Sequence, residues 1–88
     1  MTNTTIGRTS RNHLEVTPAL RENTLDVDVL NGEDILQATA TVYVHGDGYH
    51  VTGITQYSLN GSSRNYERCL EIVLRVLSFE RAQKLIHQ

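Results

Sequence analysis

Eighty-eight residues carry eight Lys and Arg against ten Asp and Glu, for a net charge of −2, with one Cys and no Trp. A chain of this size supports one core, which buries only about 60–65% of the surface exposed on unfolding, so association is a common supplement. The single Cys excludes an intramolecular disulfide framework and fits a reducing, intracellular setting. No run of about 18 apolar residues offers a transmembrane helix, and residues 1–12 lack the apolar stretch of a signal peptide.

The small net charge hides an asymmetry. Met1 to Arg21 holds three Arg and one Glu; Glu22 to Asp47 holds six acidic residues and neither Lys nor Arg; Gly48 onwards holds five basic and three acidic residues. Such segregation bears on partners more than on fold.

In chain order, residues 1–12 (MTNTTIGRTSRN) are too polar to bury and read as a flexible tail, whose Arg8 and Arg11 can touch phosphate or an acidic partner. Residues 13–88 form the single domain. His13 to Thr17 alternates Leu14 and Val16, as in a short edge strand, and Pro18, which cannot donate to a ladder, ends it. Thr24 to Leu30 alternates clearly, with Leu25, Val27 and Val29 inward and Asp26 and Asp28 outward. Asn31-Gly32 follows as a turn, of two residues or as a four-residue loop from Asn31 to Asp34; either keeps Val27 and Leu36 on one face.

Ile35 to Leu59 reads as a hairpin about an Asp47-Gly48 turn of type I′, a turn that needs positive φ at both central residues. That register opposes Val44 to Val51, Val42 to Gly53, Ala40 to Thr55, Ala38 to Tyr57 and Leu36 to Leu59. Gly53 marks either a bulge or a close approach of the overlying helix. Asn60 to Ser63 is a loop with Ser63 as N-cap of a helix running to Leu77. Arg64, Glu67, Arg68, Glu71, Arg75 and Ser78 make a narrow polar stripe, while apolar residues span roughly 200°, twice what an ordinary amphipathic helix needs. Beyond Ser78 the phase slips, so the helix breaks there and a second one runs from Phe79 to about Ile86, capped by Ser78. It either folds back over the excess apolar face or leaves that face to a homodimer.

The expected fold is α+β: a three- or four-stranded antiparallel meander with a C-terminal helix, broken near Ser78, packed on one face. The expected core is Leu25, Val27, Val29, Leu36, Ala38, Ala40, Val42, Val44, Val51, Tyr57, Leu59, Tyr66, Leu70, Val73 and Leu77.

Chemistry has few footholds in this chain. In the expected hairpin register His45 and His50 are a directly opposed cross-strand pair with Asp47 in the turn between them, but zinc sites usually recruit three or four ligands, so these read as exposed histidines and neither a metal nor another cofactor is expected. Cys69 lies mid-helix among apolar neighbours, where a thiol is inert. There is no G-x-S-x-G, no Gly-rich phosphate loop and no H-E-x-x-H. No catalytic residue, and no enzyme, is expected.

Three partner readings remain. Asp26, Asp28, Glu33, Asp34 and Asp47, with Thr39, Thr41 and Tyr43 between them, make an acidic face free of Lys and Arg, complementary to a basic protein surface. Size and charge then suit a small inhibitor or adaptor of nucleic-acid-handling machinery, as mobile elements and phages encode against host systems, in the manner of an anti-CRISPR protein. The second reading is a nucleic-acid binder using Arg8, Arg11, Arg64 and Arg68. The order strand, strand, strand, helix resembles in topology the double-stranded-RNA-binding domains and some sheet-reading DNA-binding domains. In the former, a lysine cluster opens the final helix; here that place reads Ser62-Ser63-Arg64-Asn65-Tyr66-Glu67-Arg68 and the sheet contributes only acid. The third is a homo-oligomeric assembly subunit joined through Ile72, Val76 and Phe79. No membrane partner is expected.

Overall fold

The computed structural model describes residues 3–57 and 63–87, residues 63–65 as backbone alone. Five strands, β1 (Thr4–Ile6), β2 (Asn12–Pro18), β3 (Thr24–Asn31), β4 (Leu36–His45) and β5 (Gly48–Gln56), precede two helices, α1 (Ser63–Val76) and α2 (Phe79–Ile86). The sheet is an antiparallel meander in the order β1-β2-β3-β4-β5, so the fold is α+β as expected, with more strands. The addition lies within the stretch read as a tail: Thr4–Ile6 pairs along Val16 to Leu14, and Ile6 is buried. One apolar residue in a Thr- and Asn-rich segment gave too little periodicity to mark it.

Alternation builds the core. Leu14 and Val16 of β2, Leu25, Val27 and Val29 of β3, and Ala38, Ala40, Val42 and Val44 of β4 all face inward and are buried. Both helices cover that face. Cys69, Ile72, Val73 and Leu77 descend from α1 and the turn after it, and Ala82 and Leu85 from α2. The break falls at Ser78, whose hydroxyl accepts from Arg81 N at 3.2 Å and caps α2. Thus α2 lies on the sheet itself, and the wide apolar arc of α1 is only partly shared with it. Ser63 is the first residue of α1, and its cap role concerns a side chain outside the described residues.

The hairpin register departs from expectation. The two-residue turn is Gly46-Asp47, with His45 opposite Gly48 and Val42 opposite Val51. Positive φ among the described residues falls at Gly7, Asn23 and Asp34 rather than in this turn. The register then shifts between Thr41 and Val42, leaving Thr52 as the extra residue of a bulge whose hydroxyl donates to Thr41 O at 3.1 Å. An added Cβ at Gly53 would meet nothing within 4 Å, so the glycine belongs to the bulge and not to a helix contact. Past the bulge the faces exchange: Ile54, expected outward, packs on the core, and Tyr57, expected inward, is exposed.

A second irregularity sits between Val29 and Leu30, where Leu30 pairs with Leu36 and Gln37 is the extra residue. Leu36 is therefore exposed instead of lying over Val27. Tyr66 is also exposed, Leu70 and Val51 are half-buried, and Leu59 lies outside the described residues.

Gly7 adopts φ +65°, and a Cβ there would collide with Val76 Cγ1. Gly7→Ala should cost about 2 kcal/mol, combining left-handed strain with overpacking. Urea denaturation should show the Gly7→Ala/Val76→Ala double variant to be less destabilised than the sum of the singles, because the shorter side chain removes the collision but not the strain.

Candidate functional site

With both helices on one side, strand register arranges the open side in rows. One row crosses all five strands as Thr5, Glu15, Asp28, Thr39 and Thr55. The next reads Thr17, Asp26, Thr41 and Gly53, and the third Thr24, Tyr43 and His50. No strand contains a Lys or Arg. Glu15 stands directly opposite Asp28, a like-charge pairing that costs stability, and Asp26 is two residues along the same strand, about 7 Å away. Burial, then Glu15 and Asp26, push the Asp28 carboxyl above its ordinary range.

Five residues singled out from sequence, Asp26, Asp28, Thr39, Thr41 and Tyr43, thus share this face. The structure adds Glu15, absent from the sequence-derived set although the alternation of Leu14 and Val16 already pointed it outward.

Glu33, Asp34 and Asp47 sit in turns at opposite ends of β4, all exposed. At the β3–β4 turn, Asn31 Oδ1 accepts from Glu33 N at 2.8 Å and Ile35 N at 3.0 Å. A Cβ on Gly32 would collide with the Ser10 carbonyl, so the β1–β2 and β3–β4 loops are in close contact. That contact brings Arg8 Nη1 and His13 Nε2 each to 3.3 Å from Asp34 Oδ1. His13 is buried while Asp34 remains largely exposed. The negative charge of Asp34 is therefore partly matched within the chain.

The residues of the other two readings are dispersed. Arg8 is engaged with Asp34, and Arg11 is exposed in the β1–β2 loop. Arg68 is exposed on α1, across the sheet from the open face, and the side chain of Arg64 lies outside the described residues. Ile72 belongs to the core, Val76 packs against it, and Phe79 stacks on Tyr49 with ring centroids 6.5 Å apart. The apolar side chains of α1 left at the surface are Tyr66 and Leu74.

At the turn end of the hairpin His50 opposes Tyr43, not His45, yet the imidazoles meet diagonally, with Nε2 atoms 2.9 Å apart. Cys69 lines a recess of about 140 Å³ with Asn12, Asn31, Gln37 and Ile72. Burial pushes its thiol up, against a smaller opposing effect of Arg68, which disfavours the nucleophilic thiolate. Among the described residues no group of three or more His, Cys, Asp or Glu is placed to hold a metal ion, and no helix is long and apolar enough to cross a membrane.

No protein-family model, no curated protein and no solved structure matches the chain. The face must therefore be read from its own chemistry.

A raised carboxyl pKa means that the folded state holds its proton more tightly than the unfolded one. Stability from this group is thus lost as pH rises from the ordinary carboxylate range through the raised value. Asp28→Asn should melt above the wild type at pH 7, and thermal unfolding at stepwise lower pH should show the gap closing as Asp28 takes up its proton.

Proposed function

We propose that this protein is a non-enzymatic protein-binding module whose open sheet face docks on a basic surface. The observation that supports it is the concentration of Glu15, Asp26 and Asp28 on a strand face with no cation, set among Thr5, Thr17, Thr39, Thr41 and Thr55. A face that only needed to be soluble gains little from opposed carboxylates, which destabilise the sheet that carries them. Docking on Lys or Arg removes that repulsion, so the free energy stored in the face is returned on binding. Threonine hydroxyls between the carboxylates both donate and accept, and they fit the polar rim of such an interface.

The partner class is a basic groove of the kind that holds nucleic acid, and the role is that of an inhibitor or adaptor that occupies the groove. Electrostatic steering suits this, since a compact acidic face meets a positive cleft at rates well above an unsteered encounter. Inhibitors of the type encoded by mobile elements fit the same size and charge.

A fluorescent Arg-rich peptide is a direct probe. Anisotropy titration at low salt should show binding that weakens as salt rises. Asp26→Lys/Asp28→Lys should lower the affinity by roughly tenfold or more, through lost attraction and new like-charge contacts. Glu67→Lys/Glu71→Lys changes the net charge equally on exposed positions of α1 and should cost much less. Equal losses from the two double variants would reduce the effect to net charge and overturn the assignment of the face. So would tight, salt-sensitive binding of mixed-sequence duplex DNA or RNA by the wild type.

A further inference from the structure

His45 and His50 converge on one point. His45 closes β4, His50 lies three residues after Asp47 as the third residue of β5, and the two-residue Gly46-Asp47 connection fixes their separation. The imidazole centroids are 4.7 Å apart with 25° between the planes, and the Nε2 atoms approach to 2.9 Å. Tyr43, two residues before His45 on the same face, stacks against it at 6.0 Å and 27°, which restrains the ring. Neither histidine is enclosed: His45 is half-buried and His50 exposed.

We propose that this pair is a bidentate site for a divalent transition-metal ion, Ni²⁺ or Cu²⁺ in preference to Zn²⁺. Imidazole nitrogens bind such ions at about 2.0–2.1 Å, and two of them 2.9 Å apart then subtend about 90° at the metal. That is the cis angle of square-planar and octahedral coordination, favoured by Cu²⁺ and Ni²⁺. A tetrahedral zinc site needs a wider angle, with the nitrogens about 3.3 Å apart. Affinity order reinforces the choice, since Ni²⁺ and Cu²⁺ bind nitrogen donors well among the first-row ions.

Binding requires both Nε2 lone pairs, so in the complex each ring is neutral and carries its proton on Nδ1. The remaining coordination positions go to water, because no third His, Cys, Asp or Glu joins the pair among the described residues. The site is therefore open and exchangeable, and it lies at the turn end of the same face that carries Tyr43 and Asp26. It bridges β4 and β5, so a bound ion also pins the hairpin.

Untagged full-length protein should be titrated with NiCl₂ by calorimetry, with the imidazole proton resonances followed in parallel. One Ni²⁺ should bind per chain, broadening the signals of His45 and His50 first. His45→Gln and His50→Gln should each weaken binding by roughly tenfold or more, as expected when one of two tethered donors is lost, while His87→Gln should bind as the wild type does. A Ni²⁺ concentration that saturates the wild type should raise its melting temperature by more than that of either pair variant. No binding up to millimolar Ni²⁺ would overturn the proposal. So would undiminished binding by either pair variant, or broadening that begins at His87 or His13.

Discussion

The burial of one aliphatic face of β2, β3 and β4 beneath two short helices is the contact on which the rest of the molecule depends. Leu14, Val16, Leu25, Val27 and Val42 are fully enclosed, and Val73 and Leu77 meet them from the helical side. A single straight helix would cover a strip of this sheet and leave the remainder wet. The break at Ser78 turns one long apolar segment into two, so that Ala82 and Leu85 extend the cover. Gly7 completes the closure, since only a residue without Cβ allows β1 to pass Val76 at this distance.

One-sided cover creates the chemistry of the other side. Strand alternation sends every second residue of β2, β3 and β4 outward, and the sequence places Glu15, Asp26 and Asp28 at three of those positions with no Lys or Arg on the five strands to match them. The acidic face and the hydrophobic core are thus the two halves of one pattern: a change of register that moved the carboxylates would expose the valines between them. A charged face built into strands in this way is stiff, and its charges hold a fixed spacing that a loop-borne cluster does not.

How much of this was legible depended on whether local pattern was allowed to stand. Leu25 to Val29 and Ala38 to Val44 alternate cleanly, and their faces followed from period two alone. The helix break was equally plain, because Glu80, Arg81 and Lys84 fall out of phase with Val73 and Leu77. The errors gathered where a single residue was inserted. Thr52 and Gln37 each add one residue to a strand, and each addition inverted the faces beyond it, which is why Tyr57 and Leu36 were placed inside and Ile54 outside. Nothing in a Val-Thr-Gly-Ile run fixes which side of the glycine absorbs the extra residue. The engagement of Arg8 and His13 with Asp34 was hidden for a different reason: it joins two loops far apart in sequence through backbone contact at Gly32. The carboxylate pair, by contrast, needed only the parity of β3, and the expected register already set His45 against His50, although the true turn brings them together diagonally.

The meander has a kinetic consequence. Each strand pairs with the one before it in sequence, across connections spanning residues 7–11, 19–23, 32–35 and 46–47. Every step of sheet assembly therefore closes a short loop, with little chain entropy lost before hydrogen bonds compensate for it. Sheets that need distant strands to meet fold slowly and expose unpaired edges for long periods. A chain wired in this way can build its sheet one neighbouring strand at a time, while the apolar face waits for α1 and α2, the last elements of the chain, to cover it.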